Sequence, residues 1–357
     1  MRIQEQEDKH SRIKKLLIER DLDAVVLKKA ANIAWIIGGR AHIPTTIELA
    51  CLDVVVYREK IVVVTNKIEA PRLQAEELTG SEEIIVINWF EGREAQLPRG
   101  QRIGVDGPES ERVNLSSEIE SLRRSLNEFE VKRLKEIGKD ATEALSAAML
   151  NISPDMNEVA VAGKIADQMW KRDLEPVVLL VAGARRIHEF KHPLPTVEAI
   201  GNTAMGVICA RRKGLIASVT RIVNFGVLES RIHEKYLGLL NVEAAFLDET
   251  KVGRSFSEAF KSGELAYLTH GFARDEWTKH HQGGPTGYMP RDFPAHEKTN
   301  QIIGVNNAIA WNPSAEGLKV EDTLVTNSGG FDFVTLGENW PTIEVQGRIR
   351  PAIQEIL

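Results

Sequence analysis

The chain is poor in cysteine and in aromatics, and it has no long apolar run. Its two cysteines, Cys51 and Cys209, lie far apart in 357 residues with no metal-ligand spacing around either. That argues against a disulfide framework or a zinc finger, and for a reducing compartment. No apolar stretch approaches the ~20 residues that cross a bilayer, and the opening MRIQEQEDKHSRIKK has no apolar signal core. A cytoplasmic protein with no membrane partner is therefore expected. The formal charge of −6 comes with no basic stripe, which argues against a nucleic-acid partner. What is present, 43% hydrophobic and 27% charged residues, is ordinary globular material. At 357 residues, two domains are expected from a prior of ~150 residues per domain.

In the first part, Ile13, Leu16 and Leu17 recur at helical spacing within residues 11 to 20, and Asp23 to Leu27 reads as a short buried strand. Leu52–Tyr57 and Ile61–Thr65 flank a turn at Arg58-Glu59-Lys60 and predict a hairpin. A helical segment over about 68 to 78, a strand at Ile84–Ile87 and another at Arg102–Asp106 follow. This alternation predicts an α/β domain on a mixed sheet over residues 1–126. A long helix over 128 to 151 then opens a second domain, 127–357. Within it Asp155, three residues before Glu158, is the candidate cap of a helix running to Lys171. Pro176–Val181 reads as a central strand. Met205–Ala210 and Leu215–Val223 form a hairpin whose Gly214 supplies the unusual backbone angle. Helices are expected over 232–249 and 257–270, the second with a Ser255-x-x-Glu258 cap. Strands are expected at 308–311, 320–325 and 331–334.

One stretch gathers chemistry: Lys279-His280-His281-Gln282-Gly283-Gly284-Pro285-Thr286-Gly287-Tyr288-Met289-Pro290-Arg291-Asp292. Glycines let the backbone approach a ligand closely, imidazoles titrate near neutrality, and arginine's planar fork suits a carboxylate. The combination points to a pocket for a small anionic molecule; a tight turn with incidental histidines is the alternative. It is no phosphate loop, because it lacks the Gly-Lys-Ser/Thr ending and opens no helix.

Several stretches, in order, resemble the pita-bread fold of creatinase, prolidase and the Xaa-Pro aminopeptidases. Leu22–Leu27 with Asn32–Gly38 is similar to the opening of their N-terminal domain. Ser153–Glu158, Val181-Ala-Gly183 with His192-Pro-Leu-Pro-Thr196, Gly214 with Thr220-Arg221, and Lys319-Val-Glu321-Asp322-Thr323 are similar to successive segments of their catalytic domain. The resemblance implies a creatinase-like N-terminal α/β domain, a C-terminal pita-bread domain and a homodimer.

Prolidase-like members hold two metal ions with two Asp, one His and two Glu, a set suited to divalent cations that activate water. Placed against Thr220-Arg221, the Asp positions fall on Val207 and Ser218. The His position, three before Gly287, falls on Gly284, and the first Glu position falls on Asn312. Glu321 alone is a carboxylate. No metal ligand set and no cofactor are expected from this. The resemblance to creatinase, which has the fold without metal, implies instead His192 as general acid and base, Glu321 beside it, and Arg291 binding a substrate carboxylate. Creatinase's own histidine at the metal position and its first glutamate are absent here.

Each of these residues has a plainer alternative. His192 could cap a turn, Glu321 could form a salt bridge to Lys or Arg, and Arg291 could pair with Asp292. Asn312 could orient a substrate amide or bond within the core. His280 and His281 should point to opposite sides if their segment is extended, with His281 the candidate to face inward. Arg40 and His42, after Gly38-Gly39, are candidates for an arm that completes a partner chain's site, by analogy with dimeric relatives. Trp277 and Trp311 read as core. The expected activity is metal-independent hydrolysis of a small C–N-bonded substrate carrying a carboxylate. The alternatives are an Xaa-Pro metallopeptidase and a non-catalytic module that binds a peptide or metabolite.

Overall fold

The computed structural model describes residues 2–357, which fall into two compact units, Met1–Phe129 and Glu130–Leu357. The elements of the first are α1 (Arg2–Glu19), β1 (Ala24–Lys29), α2 (Ala30–Ile37), β2 (Leu49–Tyr57), β3 (Ile61–Asn66), a helical turn α3 (Ala70–Arg72), β4 (Glu83–Ile87), β5 (Ile103–Val105), β6 (Val113–Asn114) and α4 (Ser116–Arg124). Its six strands form one sheet in the order β4-β3-β2-β1-β5-β6. β1 runs antiparallel to β2 and parallel to β5, so the sheet is mixed, as the alternation predicts. Valine and isoleucine fill β1 to β3, where β-branched side chains suit a pleated buried surface, and Val26, Val55, Val62 and Val64 share one core.

Helix α1 begins nine residues earlier than the apolar periodicity suggests. Its first turns bury polar side chains that are paired within this unit. Lys9 Nζ lies 2.5 Å from Glu5 Oε1, four residues away, and 2.7 Å from the Trp35 carbonyl, while Gln6 donates to Glu82. The predicted helix over 68–78 is a short α turn followed by a π turn, Leu73–Glu77. Asn32–Gly38 belongs to α2, which Gly38 ends with φ 65° and its N–H on the Ala34 carbonyl.

The second unit contains α5 (Glu128–Met149), α6 (Glu158–Trp170), β7 (Glu175–Gly183), α7 (Arg186–Glu189), β8 (Thr203–Arg212), β9 (Leu215–Phe225), α8 (Ser230–Asp248), α9 (Phe256–Thr269), β10 (Gly283–Pro285), β11 (Ala308–Trp311), β12 (Ser314–Ala315), β13 (Leu318–Lys319), β14 (Asp322–Asn327), β15 (Gly330–Phe333), β16 (Thr342–Val345), β17 (Arg348–Pro351) and β18 (Gln354–Ile356). Two four-stranded sheets, β18-β9-β8-β7 and β10-β11-β14-β15, carry it. One apolar core joins them to α8 and α9, with Phe246 stacked on Trp311 at 4.7 Å. Trp311 donates its Nε1–H to Thr250 Oγ1 at 2.9 Å and is core, as expected.

Two local expectations change. The cap of α6 is Asn157, whose side chain accepts from the Ala160 N–H, not Asp155. Glu158 turns inward instead, taking N–H bonds from Gly183 and Thr196, the Thr196 hydroxyl, and the Arg186 guanidinium. It thereby ties α6 to the end of β7 and to the loop that carries His192. Ser255 forms the full capping box with Glu258 at the start of α9, as the sequence predicts. Among the described residues, no helix is long and apolar enough to cross a membrane.

Candidate functional site

Glu321 lies in the two-residue break between β13 and β14, not within a strand. Its backbone carbonyl accepts from the Thr220 N–H of β9 at 3.0 Å, which ties the second sheet to the first at this point. The side chain is buried. Oε2 accepts from Lys319 Nζ at 2.8 Å and from the Thr220 hydroxyl at 2.9 Å, and Oε1 lies 3.4 Å from Asn312 Nδ2 and 3.8 Å from Arg291 Nη2. Burial alone would push this carboxyl up. The adjacent Lys319 charge, with its hydrogen bond and the Arg291 charge, more than reverses that and holds Glu321 below the usual carboxylate range. The salt-bridge alternative for Glu321 is realised, with two cations rather than one.

Arg291 is fixed mainly by backbone, not by Asp292. Nη1 donates to the Gly284 carbonyl at 2.6 Å and to the Ala310 carbonyl at 2.7 Å, while Nε is buried without a partner. The glycines make this possible by approaching backbone rather than ligand. Gly283 has φ 112° and a Cβ there would sit 2.3 Å from the Ala310 carbonyl oxygen; at Gly284, with φ 144°, a Cβ would sit 2.6 Å from that of Phe293. Burial lowers the affinity of the Arg291 guanidinium for its proton, and Glu321 offsets part of that.

Three imidazoles converge next to these groups. His192, on the loop held by Glu158, presents Nε2 at 3.1 Å from His280 Nε2. His280 and His281 stack with ring centroids 4.3 Å apart and planes 27° apart. The expected opposition of the two neighbours does not occur. His280 is extended, with φ −155° and ψ 148°; alternation sets the directions of the Cβ atoms, and rotation about χ1 and χ2 still brings both rings to His192. Burial, Lys319 and the neighbouring imidazoles keep His280 neutral with its pKa lowered to about 2. His281 is lowered to about 4, chiefly by burial and then by Arg291 and Lys319. His192 is also lowered, by burial and by Lys319, against the pull of Glu321. One proton must sit on the His192–His280 contact, since a neutral imidazole has one donor and one acceptor nitrogen.

At the hairpin, Ser218 faces Cys209 across the strands, with Oγ and Sγ 3.3 Å apart, while Val207 faces Thr220. Val207 belongs to the apolar core. Burial pushes the Cys209 thiol up to about 11, so it is no thiolate nucleophile. Asn312 is buried, with Oδ1 lacking a partner. Arg40 and His42 belong to the first unit, where Arg40 Nε donates to Glu77 at 2.6 Å and Nη2 to Glu76 at 3.2 Å. What sequence reasoning missed is the part played by Lys319 and Thr220 at Glu321, and the pairing of His280, itself a named candidate, with His192. The His192–His280 contact spans 88 residues and leaves no local signal.

No known family profile matches the chain. Among curated proteins, it is 23% identical over 238 residues to a Bacillus subtilis (strain 168) protein named as the uncharacterized peptidase YqhT, covering 64% of this chain and 66%, just under two thirds, of that relative. Among solved structures, the Pyrococcus horikoshii OT3 prolidase superposes with a TM-score of 0.79 at 17% identity, over 93% of this chain and 99% of that one. The Xaa-Pro dipeptidase of Bacillus anthracis gives 0.77 at 16% identity, over 98% and 100%. The N-terminal domain of the FACT complex subunit SPT16 from Cicer arietinum (chickpea) gives 0.68 at 14% identity, over 93% and 96%. The chain thus has the two-domain pita-bread fold of the prolidases and Xaa-Pro dipeptidases, with the mixed α/β first part and the pita-bread second part that its sequence resemblance implies.

Proposed function

We propose that the chain is a peptidase-type hydrolase that cleaves a C–N bond in a small substrate bearing a carboxylate, by imidazole proton transfer rather than through a two-metal centre. The observation that carries this reading is the charge balance around Glu321. One carboxylate stands against two cations, Lys319 at 2.8 Å and Arg291 at 3.8 Å. A buried surplus cation is costly until an anion joins it, and the Arg291 Nε–H has no partner. Asp292 contributes only a weaker attraction to Arg291. A substrate carboxylate supplies the missing charge and can take the side-on edge of the guanidinium.

The donor set speaks against a pair of divalent ions. Val207, Cys209, Ser218 and Asn312 offer no carboxylate, Gly284 offers no side chain, and Glu321 is already held by an ammonium. His192, exposed on its loop and kept below the ordinary imidazole pKa, is neutral near pH 7 and can take a proton from an attacking water. The proton returns to the departing nitrogen, so the imidazole is regenerated. His280 orients His192 through the 3.1 Å contact.

An Xaa-Pro metallopeptidase is the second reading, favoured by the names of the fold neighbours. A non-catalytic binding module is the third, kept because one neighbour of this fold is named as a domain of a complex subunit and not as a peptidase. The discriminating experiment assays chelator-treated protein and its His192→Ala variant on Xaa-Pro dipeptides, N-acyl amino acids and guanidino acids. Turnover that falls by ~10²–10⁴-fold in the variant is the expected outcome. Undiminished turnover in His192→Ala removes the proton-transfer role, and binding without product favours the module.

A further inference from the structure

We propose that His192, His280 and His281 form a binding site for one transition-metal ion of the zinc class, separate in its ligands from the carboxylate set that suits two hard ions. The three imidazoles bring one nitrogen each to within 4.8 Å of the others. Two of these, His192 Nε2 and His280 Nε2, already stand 3.1 Å apart. Nitrogens that share a tetrahedral zinc at ~2.0–2.1 Å lie ~3.3 Å from each other. Closing on an ion therefore asks for small rotations of side chains, not for backbone rearrangement. His280 is further fixed from behind, its carbonyl accepting from Gln282 Nε2 at 2.6 Å, and Gln282 in turn accepts from the Tyr267 hydroxyl at 2.7 Å.

A second observation points the same way. Nδ1 of His280 and Nδ1 of His281 are both buried and have no hydrogen-bond partner. Buried polar atoms are normally satisfied, so the His281 orphan marks a nitrogen that an ion would complete, whereas the His280 orphan lies on the ring nitrogen away from His192 and is left unchanged by the ion. The rings need lose no net proton, because a neutral imidazole can place its hydrogen on the nitrogen that does not coordinate.

The surroundings decide which ion. Three neutral nitrogen donors suit Zn, Co, Ni and Cu, whereas Mg and Mn prefer carboxylate and water oxygens. Lys319, Lys191 and Arg291 are the cations that act on these imidazoles, and Glu321 is the acid that opposes them. The bound ion keeps its charge beside cations, and an anion takes its fourth position. Metal binding at this place does not depend on the hydrolase reading. Its consequence does: an ion on His192 Nε2 removes the proton acceptor, so the loaded protein turns over more slowly than the stripped one.

The test strips the full chain with a chelator and measures equilibrium dialysis against Zn and, separately, Mn, with the visible spectrum of the Co-loaded protein as a readout of coordination. One Zn per chain, a tetrahedral Co spectrum and little Mn retention are expected. His192→Ala, which alters an exposed loop, and His280→Ala should each weaken Zn binding beyond the ~10–100-fold that loss of an outer partner costs, while His296→Ala leaves it unchanged. Circular dichroism establishes that each variant folds. No retained Zn, Zn retention undiminished in either His192→Ala or His280→Ala, or Mn retained as well as Zn overturns the proposal. Absent turnover with intact Zn binding would count against the hydrolase reading alone.

Discussion

Glu321 and Asp322 are neighbours in sequence and sit in two buried charge groups of different design. Asp322 is bonded by Arg221 at 3.1 Å, by Arg350 at 2.8 Å and by the Thr335 hydroxyl at 2.7 Å. Arg350 also makes a two-pronged pair with Glu243, both contacts at 2.6 Å. That group holds two acids and two arginines. Around Glu321 there are one acid, two cations and three neutral imidazoles. A balanced group needs nothing further and holds a fold in register; an unbalanced one is complete only with a ligand. Even in the balanced group burial pushes the Glu243 carboxyl up against the pull of Arg350, a reminder that such pairs specify more than they stabilise.

The sharpest way to break this comparison is to remove one cation from each side. Arg350→Leu leaves Glu243 and Asp322 short of a partner and should lower the unfolding free energy by ~3–5 kcal/mol in denaturant titration. Lys319→Met leaves Glu321 with Arg291 and the Thr220 hydroxyl, so a smaller loss of ~1–3 kcal/mol is expected, together with weaker binding of carboxylate ligands. Equal losses would erase the distinction. The imidazoles give the smallest effect per pH unit, and its sign follows from their neutrality. His280 has a folded pKa of about 2 against an ordinary 6.5, so the unfolded chain binds the proton first, and stability present above about pH 6.5 is lost as the pH falls toward 2. Each pH unit in that window costs at most ~1.4 kcal/mol for this one ring. A His280→Asn variant should show a shallower fall in denaturation midpoint between pH 6.5 and 4; an unchanged slope would show that His280 is not the group responsible.

The comparison also shows what a sequence displays and what it hides. The mixed sheet, the hairpin at Gly214 and the Ser255 capping box follow from local periodicity and turn chemistry, and the structure has all of them. The start of α1 was hidden because Glu5, Gln6 and Lys9 are buried polar residues whose partners, Trp35, Ile36 and Glu82 among them, lie elsewhere in the chain. In the site, residue types were legible and pairings were not. Arg291 invited a carboxylate partner, yet Nη1 is spent on the Gly284 and Ala310 carbonyls. Neighbour alternation separated His280 from His281, yet their rings stack, because two side-chain torsions outweigh one backbone rule.

Chelator dependence of turnover tests the central claim most directly. The protein, stripped of metal and verified by elemental analysis, is assayed on Xaa-Pro dipeptides and N-substituted amino acids with chelator present and then with Mn added. The account predicts turnover that survives the chelator and is not raised by Mn, because the Glu321 carboxylate is already committed to Lys319. Turnover that appears only with Mn, alongside two bound ions per chain, would contradict it.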